Sequence, residues 1–309
     1  MIINRWFIYL NEVFKPFSRI LFSAILTLGL LFTLQVRYNE DTLVIGKSAV
    51  IGTITIFLFL LYYRLCDEFK DFDTDKKYFP ERPVPSGRVS LNDLNYLIYI
   101  ITILLFVINF YFKVNFLSFL AFLSLYFFGF MMGKWFFLPS LISNNRIWAF
   151  ITHSPVSLVV NFYIINLFVA EKGLALFTLD NFLIALWWAI PGWGWEIARK
   201  TYEPESERSG YQTYSMMLGY KLAGMIPIFL MLIQFFILFQ LRVVLHLSPI
   251  TIFISLGIIS ITSIFFIRFI FLATKKSSNV LRLSMEVYSF LIYACLLCDL
   301  FFTKRQLVW

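Results

Sequence analysis

Charge is scarce in this sequence, and its scarcity excludes most soluble folds. Only 14% of the 309 residues are charged and 60% are hydrophobic, whereas soluble domains carry about 25% charged residues. Apolar segments of roughly 20 residues, the length that crosses a bilayer, recur along the whole chain. We therefore expect a single integral membrane domain over residues 1–309, in which the aromatic and charged segment 1–17 is an amphipathic lead-in at the membrane interface.

Cysteines and basic clusters are also few. Three cysteines provide no disulfide framework, and the CxxC formed by Cys295 and Cys298 lies in an apolar segment without a companion His or Cys pair, so we expect no metal or redox site there. The net charge of +8 comes without a basic tail or a basic–aromatic module, which argues against nucleic acid as a partner. No feature indicates an obligatory protein partner. We expect no cleavable signal peptide, because the first apolar run lacks a small-residue cleavage site.

Long apolar runs are what this sequence has in abundance. The predicted membrane spans are residues 18–36, 47–66, 91–112, 114–133, 147–170, 179–196, 214–241, 249–272 and 284–302. Each run is long enough for a helix to cross the hydrocarbon core. The predicted fold class is therefore an all-α integral membrane protein with nine transmembrane helices.

Lys and Arg are distributed unequally between the two sides of these spans. With the N-terminus inside, the inner segments hold eighteen Lys and Arg residues and the outer segments seven, while Arg268 lies within a span. Such an excess marks the cytoplasmic side. We therefore predict that the N-terminus and the polar loops after the second and sixth spans are cytoplasmic, and that the bilayer is the protein's permanent environment.

The loop after the second span, residues 64–90, is the longest strongly polar interruption. Its residues Asp67, Asp71 and Asp75 are spaced four apart, so a continuing helix places three carboxylates on one face. Like charges at this spacing repel, and a divalent cation relieves the repulsion. Mg²⁺ prefers oxygen ligands and commonly links one or two carboxylates to a substrate phosphate. The alternative is a solvated loop whose acids pair with its own lysines.

Two arginines follow on a proline-stiffened segment, Arg82 and Arg88 in ERPVPSGRVS. Arginine suits bidentate contact with phosphate. Carboxylates that hold a metal, together with arginines at a membrane surface, indicate a substrate with a diphosphate head and an apolar tail.

The pattern DExxDxxxD followed by RPVPSG resembles the first signature of the UbiA superfamily of intramembrane prenyltransferases, NDxxDxxxD followed by RPLPSG. Asp67 stands at the position of the Asn, and Glu68, Asp71 and Asp75 stand at the three Asp positions. The resemblance implies a helical bundle around a central cavity, capped by two polar cytoplasmic loops. It also implies that Asp67, Glu68, Asp71 and Asp75 bind Mg²⁺, and that an isoprenyl diphosphate is ionised to an allylic carbocation.

The second polar loop departs from the family pattern, which has a further DxxxD-like motif after the sixth span. Here Glu196 is the best substitute for the first acid, while Arg199 and Lys200 stand where acids are expected. We predict that Arg199, Lys200 and Lys221 bind the diphosphate directly and that Glu196 is catalytic. The alternative for Arg199 and Lys200 is a positive pair that only fixes topology. Weaker candidates for a role in the site are Asn144, Asn145, Arg146, His153, Asn161, Tyr214 and the tryptophans 187, 188, 193 and 195.

The missing acids leave three functions open. The leading interpretation is a terpene cyclase acting on farnesyl or geranylgeranyl diphosphate, because a cyclase needs ionisation and an apolar cavity but no second substrate. The alternative is a prenyltransferase that attaches the isoprenyl chain to an aromatic or quinoid acceptor. A non-catalytic membrane transporter or lipid-binding protein is the third.

Overall fold

The chain is helical almost throughout the part that the structure describes, which is residues 2–143, 145–207, 210–303 and 307–308 of this computed structural model. The helices are α1 (Ile2–Tyr9), α2 (Pro16–Arg37), α3 (Lys47–Lys70), α4 (Phe72–Tyr78), α5 (Leu91–Tyr111), α6 (Phe116–Gly133), α7 (Pro139–Ile142), α8 (Arg146–His153), α9 (Val156–Lys172), α10 (Leu179–Ala198), α11 (Tyr214–Leu218), α12 (Tyr220–Leu241), α13 (Pro249–Leu272) and α14 (Lys275–Thr303). Two short strands, β1 (Leu43–Val44) and β2 (Leu307–Val308), pair in parallel.

Eight helical segments within the described residues are long and apolar enough to cross a membrane. They are Pro16–Arg37, Lys47–Lys70, Leu91–Tyr111, Phe116–Gly133, Arg146–Lys172, Tyr220–Leu241, Pro249–Leu272 and Lys275–Phe302. A multi-pass, all-helical membrane protein is therefore confirmed. The remaining predicted span, 179–196, corresponds to the helix α10, which is not among these eight segments. The count of nine spans stays a prediction.

Three predicted spans differ most from the helices of the structure. The predicted span 147–170 is two helices, α8 and α9, with Ser154 and Pro155 between them; proline has no backbone N–H for a helical hydrogen bond. The span 214–241 is divided at Gly219, which has a φ of +79°, a backbone conformation that glycine tolerates. The last span begins at Lys275, not at Ser284.

The chain forms two compact units. The first comprises Met1–Leu28, Ile45–Pro139 and Phe162–Leu174. The second comprises Gly29–Val44, Ser140–Asn161 and Ala175–Trp309. The polar loop 64–90 belongs to the first unit, and the loop after α10 belongs to the second.

Helix α3 is at the centre of the first unit, where it packs against α5 and α6. The approach to α6 is close: a Cβ on Gly129 would lie 2.6 Å from the Phe59 ring, and one on Gly133 would lie 3.2 Å from Cys66. Helix α5 begins at a capping box in which Ser90 and Asp93 satisfy each other's backbone N–H groups, an arrangement that stabilises a helix start. These contacts hold both ends of the polar loop 64–90.

Helix α10 is the most buried helix of the second unit and packs against α12 and α14. Gln234 on α12 donates a hydrogen bond to the Trp187 carbonyl, at 3.0 Å, and accepts one from Tyr288 on α14, at 2.5 Å. Tyr293 stacks on Trp188 with the ring centroids 4.5 Å apart. Both neighbours therefore hold the middle of α10.

Candidate active site

The first candidate site is the join between α3 and α4, which carries the three spaced aspartates. Helix α3 ends at Lys70, and Asp71 leaves the helical conformation with φ −102° and ψ 7°. The backbone N–H of Asp71 still donates to Asp67 O, and that of Asp75 to Asp71 O, both at 2.8 Å. The three aspartates are therefore on successive turns, as their spacing predicts, although they lie on two helices and not on one.

Three acids of this site each pair with a cation of the same unit. Lys70 Nζ lies 2.7 Å from Asp67 Oδ1, and Arg82 Nη1 donates to Asp75 Oδ2 at 2.8 Å. Glu68 Oε1 lies 2.6 Å from Arg64 Nη2 and is within 3.5 Å of the Tyr9 hydroxyl. Glu68 and Asp75 are buried, so the loop is not fully solvated. Its acids do pair with cations of the same loop, Asp67 with Lys70 among them, as the alternative interpretation supposes.

The donor atoms of this site fit Mg²⁺ by their chemistry. Asp67, Asp71 and Asp75 offer carboxylate oxygens, the ligands that this ion prefers, and Asp67 Oδ1 is buried without a well-directed hydrogen bond from the described residues. In the described chain, however, no three His, Cys, Asp or Glu side chains are arranged as a metal site. Glu68 is turned towards Arg64. Metal binding would thus require the ion pairs of the aspartates to rearrange.

The two predicted phosphate contacts, Arg82 and Arg88, have different surroundings. Arg82 reaches Asp75 and stacks over the Phe79 ring at 4.0 Å. Arg88 instead binds Glu12 with both Nη atoms, at 2.6 and 2.8 Å. The structure therefore joins Arg82 to the acids and joins Arg88 to the N-terminal segment.

The N-terminal segment makes further contacts within its unit, besides the one between Glu12 and Arg88. Arg5 Nη1 binds Asp93 Oδ2 at 3.0 Å, and Trp6 Nε1 donates to the Asp93 carbonyl at 2.8 Å. Ile3 and Phe7 remain exposed. The sequence predicted an interfacial helix here. It did not predict these partners, because they lie more than 70 residues away along the chain.

The second candidate site surrounds Glu196 at the end of α10. Arg199 Nη2 lies 2.5 Å from Glu196 Oε2, and Lys200 Nζ lies 2.8 Å from Glu196 Oε1. Glu196 thus binds both cations that replace the expected acids. One carboxylate between two cations leaves this site with a net positive charge.

Arg146 adds a third cation to this site. Its Nε donates to the Gln212 carbonyl at 3.1 Å, and its guanidinium lies 5.9 Å from the centre of the Tyr211 ring. Its charge acts on Lys200. The sequence showed Arg146 only as a weak candidate, because more than 50 residues separate it from Lys200.

Burial makes the ammonium group of Lys200 easier to deprotonate. Removal from water lowers the pKa of Lys200 to about 8, although the Glu196 carboxylate partly offsets this and Arg199 and Arg146 add to it. Burial disfavours the charged form of an amine. An anion placed next to Lys200 would favour its charged form.

Two glutamates further along the second loop, Glu203 and Glu207, bind hydroxyl groups of nearby residues and have no contact with Arg199 or Lys200 among the described hydrogen bonds and ion pairs. Glu203 is buried and accepts a hydrogen bond from Ser206. Glu207 accepts hydrogen bonds from Thr213, at 2.8 Å, and from Ser215. Lys221 is exposed on α12, with its Nζ 6.0 Å from the centre of the Tyr220 ring.

Comparison with known proteins shows the fold. No protein-family model and no curated protein matches the sequence. A solved structure of digeranylgeranylglyceryl phosphate synthase in membranes is similar with a TM-score of 0.61 and 13% sequence identity, over 96% of this chain and 99% of that chain. The chain therefore has the fold of that membrane synthase over nearly its whole length.

Proposed function

We propose that this protein is an intramembrane prenyltransferase that ionises an isoprenyl diphosphate and transfers the isoprenyl group to an acceptor. The observation that carries the proposal is the placement of Asp67, Asp71 and Asp75 on successive turns at the end of a membrane helix. The similarity in fold to a synthase whose named product carries geranylgeranyl groups supports transfer over cyclisation.

In the first site, Asp67, Asp71 and Asp75 would hold Mg²⁺, with Glu68 as a further ligand if it leaves Arg64. The metal would supply positive charge for the departing diphosphate. Arg82 and Arg88 would contact the diphosphate oxygens, because a planar guanidinium matches them bidentately. The allylic C–O bond then breaks, and its electron pair leaves with the diphosphate.

In the second site, Arg199 and Lys200 would bind a diphosphate group, with Lys221 at the start of α12. Glu196 holds both cations in place. Its catalytic role in this proposal is therefore to orient these two groups. Positioned cations stabilise charge that develops on a leaving group.

The transfer is completed when a nucleophile of the acceptor forms a bond to the allylic carbon and loses a proton to solvent or base. An aromatic or quinoid acceptor is one class to test. The solved neighbour is named for a glyceryl phosphate product, so a glyceryl phosphate acceptor is the other class to test.

The excess of Lys and Arg supports placing the N-terminus and both loops in the cytoplasm.

A terpene cyclase is the second candidate function. Glu203 and Glu207 close the second loop, so neither is free to take a proton from an acceptor. A cyclase needs no such base for an acceptor, because the cation is captured within the same molecule.

The deciding experiment supplies purified protein with farnesyl or geranylgeranyl diphosphate and Mg²⁺, with and without each acceptor class. Diphosphate release that depends on the acceptor, with a prenylated product, is the expected result. A cyclic product formed without acceptor would select the cyclase. If no diphosphate is released under any condition and the protein moves lipid or substrate across liposome membranes, the prenyltransferase and the cyclase are both wrong and the protein is a transporter.

The same assay tests the site. Asp71→Asn and Asp75→Asn should each lower turnover by about a hundredfold or more, since charge-stabilising groups contribute on that scale. Asp73→Asn is the matched control, because Asp73 is exposed and out of register with the three aspartates. Full activity in both Asp71→Asn and Asp75→Asn would refute the assignment of this site.

A further inference from the structure

Lys70 is held in a closed environment at the end of α3. Its Nζ lies 2.7 Å from Asp67 Oδ1, 4.4 Å from the centre of the Trp135 ring and 5.7 Å from the centre of the Tyr63 ring. The ammonium group is therefore surrounded by one carboxylate and two aromatic faces. Aromatic faces attract cations within about 6 Å of the ring centre.

The backbone after α6 is shaped to place the Trp135 ring there. Gly133 allows α6 to approach Cys66 of α3 closely. The chain then turns with positive φ at Trp135, Phe136 and Phe137, at +51°, +51° and +58°. Residues with side chains pay a cost for this conformation, so contacts such as that of Trp135 with Lys70 must offset it.

Burial distinguishes Lys70 from the other cations of the first site. The Lys70 side chain is 5% exposed, against 29% for Arg64 and 39% for Arg82. A buried ammonium is costly unless it is paired. The carboxylate it pairs with is Asp67, the first of the three spaced aspartates.

We propose that Lys70 is a built-in counter-cation of Asp67, which a divalent metal displaces and which then binds the diphosphate of the substrate. This inference rests on the proposed role of the aspartates as metal ligands. Without a metal, the ammonium neutralises Asp67 and reduces the repulsion between the aspartates. When a metal takes the carboxylate, the ammonium loses its partner but keeps its place between the two rings, where an anionic diphosphate replaces the carboxylate.

The first test measures metal binding without substrate. Mn²⁺ is titrated into the purified full-length protein, and bound Mn²⁺ is followed by electron paramagnetic resonance. Lys70→Gln should bind Mn²⁺ about tenfold more tightly than the wild type, because a competing cation that lies in contact with a ligand is gone. Lys70→Met, which keeps the apolar packing against Trp135, should do the same. Lys76→Gln is the control, since Lys76 is exposed on α4 and should leave the affinity unchanged.

The second test measures the affinity for inorganic pyrophosphate at saturating Mg²⁺ by calorimetry. Lys70→Gln should bind pyrophosphate about tenfold more weakly, in line with the loss of one charge-assisted hydrogen bond. Thermal unfolding of each variant in detergent verifies that the protein is folded.

The outcomes separate this inference from the function on which it rests. If the wild type binds Mn²⁺ and Asp71→Asn does not, but both Lys70 variants bind as the wild type does, the role of Lys70 is overturned and the metal site stands. Unchanged pyrophosphate affinity in Lys70→Gln overturns the second half of the inference. If neither the wild type nor the Lys70 variants bind Mn²⁺, the inference and the proposed metal site both fail.

Discussion

Arg88 binds Glu12 through both of its Nη atoms, at 2.6 and 2.8 Å, across 76 positions of the chain. This contact joins the N-terminal segment to the loop that carries the proposed phosphate contacts. The hydrogen bonds from Arg88 lower the pKa of the Glu12 carboxyl. Glu12 is therefore ionised at neutral pH and competes with an anionic substrate for Arg88.

Removal of this competition should strengthen substrate binding. In Glu12→Gln, Arg88 has no anionic side-chain partner, so we expect the KM for the isoprenyl diphosphate to fall by up to about fivefold, as for release of a surface ion pair. Arg88→Gln should raise KM. Glu81→Gln is the control, because Glu81 is an exposed acid on the same loop. A rise of KM in Glu12→Gln would show that the contact serves to position Arg88 and not to compete for it.

The pH dependence of substrate capture should reveal Lys200. The pKa of this group in the free protein is about 8, so it is charged below that pH and neutral above it. We expect kcat/KM to fall as the pH rises through about 8. Lys200→Arg should move the fall to higher pH, because arginine stays protonated. An identical profile in Lys200→Arg would show that another group titrates in this range.

Arg146 should contribute to anion binding although it lies far from Lys200 in sequence. Its loss removes one of the three cations of the second candidate site, so we expect Arg146→Gln to weaken pyrophosphate binding by about tenfold. Arg242→Gln is the matched control, because Arg242 stacks over Phe239 and belongs to no such group. Equal affinity of the two variants would remove Arg146 from the site.

The close packing of α3 and α6 should make Gly129 intolerant of a side chain. A Cβ there would lie 2.6 Å from the Phe59 ring, and overpacking of this kind costs about 1–3 kcal/mol. We expect Gly129→Ala to lower the melting temperature in detergent. Gly257→Ala should not lower it, because nothing lies within 4 Å of the added Cβ. Equal melting temperatures would mean that the two helices separate at little cost.

The membrane orientation can be tested with single cysteines in a cysteine-free background. Lys76→Cys, on α4, should react with a membrane-impermeant maleimide from the cytoplasmic side. Lys113→Cys, between α5 and α6, should react from the opposite side. Labelling of both from the same side would contradict the orientation that the Lys and Arg asymmetry predicts.

Several features of the fold followed from local sequence. Helices α3 and α13 begin where apolar runs begin, at Lys47 and Pro249, because an apolar run in a bilayer must satisfy its own backbone hydrogen bonds. A predicted bound was wrong where the helix is longer than the apolar run. Helix α14 begins at Lys275, nine residues before the predicted start at Ser284, because polar residues extend the helix beyond the apolar run.

The sequence by itself determined that this is a helical membrane protein with Asp67, Asp71 and Asp75 on successive turns. Apolar length and a spacing of four residues are properties of the local chain, and a helix converts them directly into position. Only the tertiary structure decided which cation each acid meets, and that Lys70 is enclosed by Trp135, Arg88 held by Glu12 and Lys200 influenced by Arg146. Those pairings depend on how the helices pack, and the sequence gives no signal of a contact between residues that are far apart along the chain.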